Sequence, residues 1–277
     1  LKEAYGLDKP LVVQYFLYLK NLAVFDWGRS FTSSQPVIDI MAYRFWNTIF
    51  LMGAAMCFVL VAGTGLGMVM AWRRGGPLDT GGTVMALVFQ SAPPFVTGLL
   101  LLMVLSYRLD LFPTGGLHAA GVSIGKGLGV FLSADFLHHL VLPTITVALY
   151  FLATPMLIMR DSMLEVMGSD FIELAKAKGL APHVVMIKHA ARNALMAVVT
   201  VSSLMVGFAI GGQVLVETVF SWPGMGQLMV EAAQSHDYPV AQATFLVLAA
   251  IVIFLNLLAD ISYCYLDPRI KMGKTRA

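Results

Sequence analysis

Five runs of the chain contain no Asp, Glu, Lys or Arg and are long enough to cross the roughly 30 Å of a bilayer's hydrocarbon as a helix. They are about 45–72, 80–107, 136–159, 193–216 and 238–259, and a charged residue closes both ends of every run. The pattern predicts an all-α polytopic membrane protein with five spans. Pro93, Pro94, Pro143 and Pro155 fall inside runs. In lipid such breaks persist only where neighbouring helices or a wet cavity satisfy the freed backbone groups, so they are expected as kinks facing a protein interior or a path. Gly63 with Gly67, and Gly207 with Gly211, stand at the spacing that lets helices approach closely.

Composition sharpens this reading. The 277 residues are 58% hydrophobic and only 12% charged, about half the charge of an ordinary soluble domain. A net charge of +2 gives no footprint for nucleic acid. The 17 Met are scattered through apolar runs and read as packing. Cys57 and Cys264 form no disulfide framework or zinc pattern.

Placement of charge sets orientation. The loops around 73–74 and 160–192, together with the tail 264–277, hold eleven Lys and Arg, whereas the first segment and the loop 108–135 hold seven. The richer side is expected to be cytoplasmic, and the C-terminus with it. Five spans then leave Leu1 outside, which predicts a sixth, preceding span. Residues 1–44 form an external segment that reads as a small amphipathic helix and a turn at Asp26–Gly28. A Gly-rich loop 108–135 and the loop 217–237, with a turn at Pro223–Gly226 and a short helix, lie on the same side.

The segment Ser169–Leu195 is polar between two apolar runs. Asp170 stands three residues before Glu173, the spacing of a capping box. Phe171, Leu174, Ala175 and Lys178 share one helical face. Gly179 suits a left-handed C-terminal cap and Pro182 the first turn of a second helix. The product is a short helix of about eight residues, roughly 12 Å long. A connection of this length is far longer than the 2–8 residues usual in helical bundles, and its capped, amphipathic form suits docking into a partner's groove.

Several chemistries have no residues to support them. Gly273–Lys274–Thr275 looks like the end of a phosphate loop, but Pro268 stands where its first Gly belongs, so no ATP site is expected in this chain. Adjacent His138 and His139 diverge by about 100° on a helix. His183 and His189 belong to the polar segment, and no Ser/His/Asp arrangement is readable in the spans. Glu217 and Asp260 lie at span ends, where they can reach the interface.

The run Glu173–Leu174–Ala175, three residues, then Gly179 resembles the EAA–x3–G signature of membrane subunits of bacterial ABC importers. The later I–x–L–P of that signature is His189–Ala190–Ala191–Arg192 here. "AKAKGL" with "HAARNAL", "GLDKPLVVQYFLYL", "FDWGRSF", "MLEVMGSDFIELAKAKGL", "ETVFSWPGMGQL" and "LDPRIK" are similar, in order, to the dipeptide/oligopeptide permease branch of that family. The resemblance implies the type I ABC importer transmembrane fold in 45–263. It makes 160–192 the coupling segment, with Asp170, Phe171, Glu173, Leu174, Ala175, Lys178 and Gly179 meeting an ATPase. It further implies a second, homologous permease subunit packed on faces such as Gly207–Gly212, two cytoplasmic ATPases holding ATP and Mg, and a periplasmic or lipid-anchored binding protein. Trp222, Pro223, Gly224 and Gly226 would form the external gate or its contact with that protein. The expected cargo is a di- or oligopeptide, with nickel, glutathione or another small solute as the alternative within the family and an ion-coupled secondary transporter as the alternative outside it.

Overall fold

Three of the apolar runs, 45–72, 136–159 and 238–259, become helices that outlast them. The computed structural model describes residues 9–119, 121, 128–210 and 214–266. Helix α1 (Leu11–Ala23) follows Pro10 and buries none of its residues. The expected turn follows it: Asp26 Oδ1 accepts from the Gly28 N–H at 3.1 Å, and Gly28 takes φ +73°. Helix α2 runs unbroken over Val37–Trp72, 36 residues, or about 54 Å, so it projects beyond a bilayer's hydrocarbon.

Helix α3 (Pro77–Ser91) and α4 (Pro94–Leu101) together hold the run expected as one span. They are bent by 105° at Ala92–Pro93, and α4 continues as a π-helical stretch, Leu102–Arg108. Ala92 and Pro93 are extended, because a residue before proline is pushed out of the helical region. Two successive prolines therefore turn the chain rather than kink it. A short 3₁₀ turn (Leu128–Leu132) leads to α5 (Ala134–Met167), 34 residues long, and Pro143 and Pro155 lie inside it, buried, without interrupting it.

Then come α6 (Asp170–Ala177), the short α7 (Pro182–Val184), a π-helical stretch Val185–Ala191, and α8 (Arg192–Ile210). Helices α9 (Val214–Val219), α10 (Met225–Gln234) and α11 (Tyr238–Leu266) complete the described chain. Among the described residues four helical stretches are long and apolar enough to cross a membrane: 37–72, 134–167, 182–202 and 238–258. The bent pair α3–α4 makes a fifth if it is one span.

Helices α2 and α5 form the spine. A Cβ on Gly63 would stand 2.9 Å from Pro155 Cγ, and one on Gly67 would stand 2.2 Å from the Met156 carbonyl oxygen. The Gly63–Gly67 pair is thus the place where two backbones touch, which is the route to helix association when lipid offers no hydrophobic drive between helices. Gly211 and Gly212, and the side-chain surroundings of Gly207 and Asp260, lie outside the described residues, as does the tail 267–277. Around the spine are an aromatic core at one end (Leu51, Met52, Phe136, Phe220, Trp222) and a Met- and Ala-rich core at the other (Met159, Met163, Ile172, Ala190, Ala194). A third cluster joins the start of α2 to α10 and α11 through Val37, Met41, Met225 and Val240.

Candidate functional site

Helix α6 sits at the Met- and Ala-rich end. Its N-cap is Ser169, whose hydroxyl turns back to the Val166 carbonyl at 2.5 Å, so no side chain caps the helix. The expected Asp170–Glu173 box does not form, because Asp170 is already the first helical residue. Both carboxylates lie in the first turn, where they favour the positive end of the helix dipole. The expected common face also divides. Ile172 and Ala175, three apart, are buried in the core with Met159, Met163 and Val185. Phe171 and Leu174 point away from the bundle, 44% and 60% exposed, and Lys178 is exposed with them. Ala175 is therefore an anchor, and Phe171 and Leu174 are the outward apolar pair.

The end of α6 follows the sequence closely. Gly179 takes φ +73°. Its N–H donates to the Lys176 carbonyl at 2.9 Å, and the Leu180 N–H donates to the Ala175 carbonyl at 3.4 Å, the paired bonds of a Schellman cap. A Cβ on Gly179 would meet nothing within 4 Å, so the constraint there is backbone conformation alone. Pro182 opens α7 as its first residue. His183, Val184, Ile187, Lys188 and Arg192 line an open groove beside it. The end of the molecule thus presents a rigid, short rod with apolar residues outward and basic residues alongside.

The loop between α9 and α10 lies at the aromatic end, and a buried carboxylate organises it. Glu217 Oε1 accepts from the Thr48 hydroxyl at 2.7 Å, and Oε2 accepts from the Gln227 N–H at 2.9 Å. Thr48 Oγ1 in turn accepts from the Met225 N–H at 2.8 Å. Helix α10 begins with Gly224 at its N-cap, which has no side chain to satisfy the free N–H groups of the first turn. Glu217 from α9 and Thr48 from α2 cap it instead. A Cβ on Gly224 would stand 2.2 Å from Glu217 Oε1, and one on Gly226 would stand 3.0 Å from Oε2. The two glycines of "SWPGMGQ" make room for the carboxylate. Burial pushes the Glu217 carboxyl up, against the lowering effect of its hydrogen bonds from Thr48, Gln227 and Gly226.

Trp222 is fully buried, and its Nε1–H donates to the Asn47 carbonyl at 3.0 Å. The Asn47 amide donates to the Pro223 carbonyl at 2.8 Å. Of the four loop residues expected to form the external gate or its contact with the binding protein, Trp222, Gly224 and Gly226 are buried and Pro223 is partly exposed. They shape the loop from beneath.

A second carboxylate holds the other end of α10. Asp237 accepts from the Ser30 hydroxyl at 2.5 Å, the Phe31 N–H at 3.0 Å, the Thr32 hydroxyl at 2.8 Å and the Thr32 N–H at 3.3 Å. Burial raises its pKa, but these donors from the first segment outweigh it and hold the carboxyl below its ordinary range. Arg44 adds a 2.9 Å ion pair to Glu231 on α10. In the sequence Glu217 stands out only as a charge at a span end, and Asp237 does not stand out at all. The available signal was the carboxylate seven residues ahead of a paired glycine turn. The two histidines on α5 bond to carbonyls: His138 to Leu111 at 2.9 Å and His139 to Asp135 at 2.8 Å. Among the described residues no group of three His, Cys, Asp or Glu side chains could hold a metal ion.

The described chain is thus a long spine of two helices, a bundle packed around it and a short polar helix at one end. The same fold is seen in the MetNI methionine ABC transporter in an inward-facing conformation, with a TM-score of 0.65 over 84% of this chain and 99% of that one, at 17% identity. The chain belongs to the family described as the binding-protein-dependent transport system inner membrane component, which it matches over residues 63–272. It is 38% identical to a putative peptide permease protein of Brucella suis biovar 1 over 98% of this chain and 83% of that protein. It is also 38% identical to the oligopeptide transport system permease protein AppB of Bacillus subtilis, over 97% of this chain and 83% of that one. The chain is therefore a multi-pass permease subunit of an inner-membrane importer whose ATPase and substrate-binding protein are separate polypeptides. That membership sets aside the ion-coupled secondary transporter.

Proposed function

We propose that this permease carries di- and oligopeptides, and that α6 is the rod through which ATPase subunits move its helices. The observation that carries the mechanical reading is the division of α6: Ile172 and Ala175 clamp it to the bundle while Phe171 and Leu174 remain uncovered. A helix held on one side and capped by a left-handed glycine transmits a push without absorbing it, and allosteric switching needs such a rigid element with two packed arrangements. Phe171 and Leu174 enter the ATPase cleft, Lys178 and Glu173 flank them, Asp170 sits at the near end of the rod and Gly179 fixes its exit. Ala175 serves from the inner side.

In this reading 160–192 and the tail 264–277 face the cytoplasm, and 1–44 and 217–237 face outward. A second, homologous permease completes the path as a heterodimer. ATP and Mg are bound by the two ATPase subunits. The binding protein meets the outer surface of the α9–α10 loop, which Trp222, Gly224 and Gly226 shape and Pro223 borders. The peptide reading is supported by the relatives being a putative peptide permease and an oligopeptide permease, and by their match over nearly the whole chain.

The test is co-purification of the ATPases with the intact transporter in parent, Phe171→Ala and Leu174→Ala forms, with uptake of labelled dialanine competed by unlabelled peptide, glutathione or nickel. Docking through α6 is abandoned if both alanine variants retain full ATPase at equal expression. The peptide assignment is abandoned if glutathione or nickel competes and peptide does not.

A further inference from the structure

Helix α3 rests on α2 and α5 through a small apolar cluster, Ala86 with Met70, Ala153 and Met156. Of its fifteen residues only Asp79 and Ala86 are buried, and Leu78, Val84, Met85, Leu87 and Val88 face outward. What fixes its first turn is polar. Arg160 on α5 donates to Asp79 through both sides of its guanidinium, Nε to Oδ1 at 2.5 Å and Nη2 to Oδ2 at 3.0 Å. Asp79 is 4% exposed, and its Oδ2 also accepts from the Gly75 N–H at 2.9 Å. The remaining arm of the guanidinium, Nη1, reaches Asp161 at 2.7 Å.

Arg160 lies in sequence between Met159 and Met163, α5 residues buried in the same core as Ile172 of α6. Its own side chain points to α3. One turn of α5 therefore shares a core with α6 through its methionines and holds α3 with a guanidinium. Beyond Ala92–Pro93, α3 continues into α4, where a Cβ on Gly98 would stand 3.1 Å from Phe220 of the α9–α10 loop. A planar, two-point bond resists rotation as well as separation, so it suits the transfer of a movement from one helix to the next.

We infer that the Asp79–Arg160 pair is the linkage through which α3, and with it α4 at the far loop, follows α5 when α6 is driven. Both are positioning residues in this reading, acting through the helices they join. The inference rests on the α6 docking reading, and the two fail differently: loss of docking removes the ATPase, whereas loss of the linkage leaves the ATPase bound and turning over.

The experiment uses the complete transporter in proteoliposomes, with Cys57 and Cys264 replaced by Ser and spin labels on Thr80→Cys of α3 and Glu165→Cys of α5. In the parent, the distance between labels is unchanged between the nucleotide-free and vanadate-trapped states, while in Asp79→Asn it changes by more than about 2 Å. Asp79→Asn and Arg160→Lys keep bound ATPase, hold ATP turnover within about twofold and lose about tenfold in dialanine uptake, so ATP spent per solute rises. Exchanging the pair (Asp79→Arg with Arg160→Asp) recovers part of that loss. The linkage is overturned if the parent labels separate on trapping, if Asp79→Asn keeps the parent's distances, or if ATP turnover and uptake fall in equal proportion, which is the mark of a fold staple. The label distances require no solute and decide the question even where dialanine is not carried.

Discussion

Glu217 and Thr48 cap one helix from two others: the Thr48 hydroxyl donates to the Glu217 carboxylate at 2.7 Å and accepts from the first N–H of α10 at 2.8 Å. Glu217 and Thr48 are 169 residues apart in sequence. Removing the carboxylate with Glu217→Ala leaves the Gln227 N–H and the Thr48 hydroxyl short of a partner in a buried site. Each such group costs about 1–3 kcal/mol. Glu217→Ala should therefore lower the thermal midpoint of the purified transporter clearly. Glu217→Gln should lower it less, because the neutral amide retains an acceptor and burial already disfavours the charged carboxylate. Scanning fluorimetry of the two variants checks the order, and equal midpoints would remove the capping role.

The close approach of α2 to α5 gives a second outcome, with an internal control. Gly67→Ala drives a methyl group onto the Met156 carbonyl, which is backbone and cannot rotate away. Overpacking of this kind costs about 1–3 kcal/mol. Gly53→Ala, on the same helix, meets nothing within 4 Å and should leave stability unchanged or slightly raised, since alanine is the better helix former. Size-exclusion profiles and thermal midpoints of the two variants should diverge. If Gly53→Ala is as damaging as Gly67→Ala, helix propensity and not contact governs the spine.

Asp237 predicts how the first segment responds to acid. Its folded pKa lies below the ordinary aspartate value of 3.8, so proton binding favours the unfolded or released segment. The clasp is complete at pH above that value, declines as pH falls below it and is gone once pH passes the lower folded value. Hydrogen-exchange protection of residues 28–36, corrected for intrinsic exchange, should be level from neutral pH down to that window and then drop. In Asp237→Asn it should be reduced at neutral pH and should show no such step. A parent segment that loses protection near pH 6 would assign the clasp to some other group.

The charges that close the apolar runs were visible in the sequence, and so were the helices between them. Their pairing was not. Asp79 with Arg160, Glu217 with Thr48 and Asp237 with Ser30 join residues 81, 169 and 207 positions apart, and a single sequence holds no trace of such distances. Local chemistry was read well where it acts within one turn: Gly179 takes the left-handed conformation and Pro182 opens the next helix. It was read less well where a nearby residue competes. Ser169 takes the N-cap position that Asp170 was expected to fill, and Ile172, not counted on the docking face, becomes with Ala175 the side that is buried. The Pro93–Pro94 break was legible as a disturbance but its 105° angle was not, and α4 beyond it approaches Phe220 of the far loop at Gly98.

The turn at Gly179 separates two ways in which a substitution can harm the rod. The residue holds φ +73° with open space around its missing Cβ, so within this chain a side chain there is penalised by backbone conformation and not by collision. Asparagine adopts the left-handed region more readily than alanine, and β-branched residues hardly at all. If conformation alone matters, Gly179→Asn should retain most of the dialanine uptake, Gly179→Ala should lose about tenfold for a cost of about 1–2 kcal/mol, and Gly179→Val should lose more, with Gly179→Asp between asparagine and alanine. ATPase binding should fall in the same order, because the Schellman bonds to Ala175 and Lys176 set the direction of α6 at the dock. An order that follows side-chain volume instead, with asparagine worse than alanine, would mean that the ATPase itself closes over Gly179 and that the glycine is there for contact.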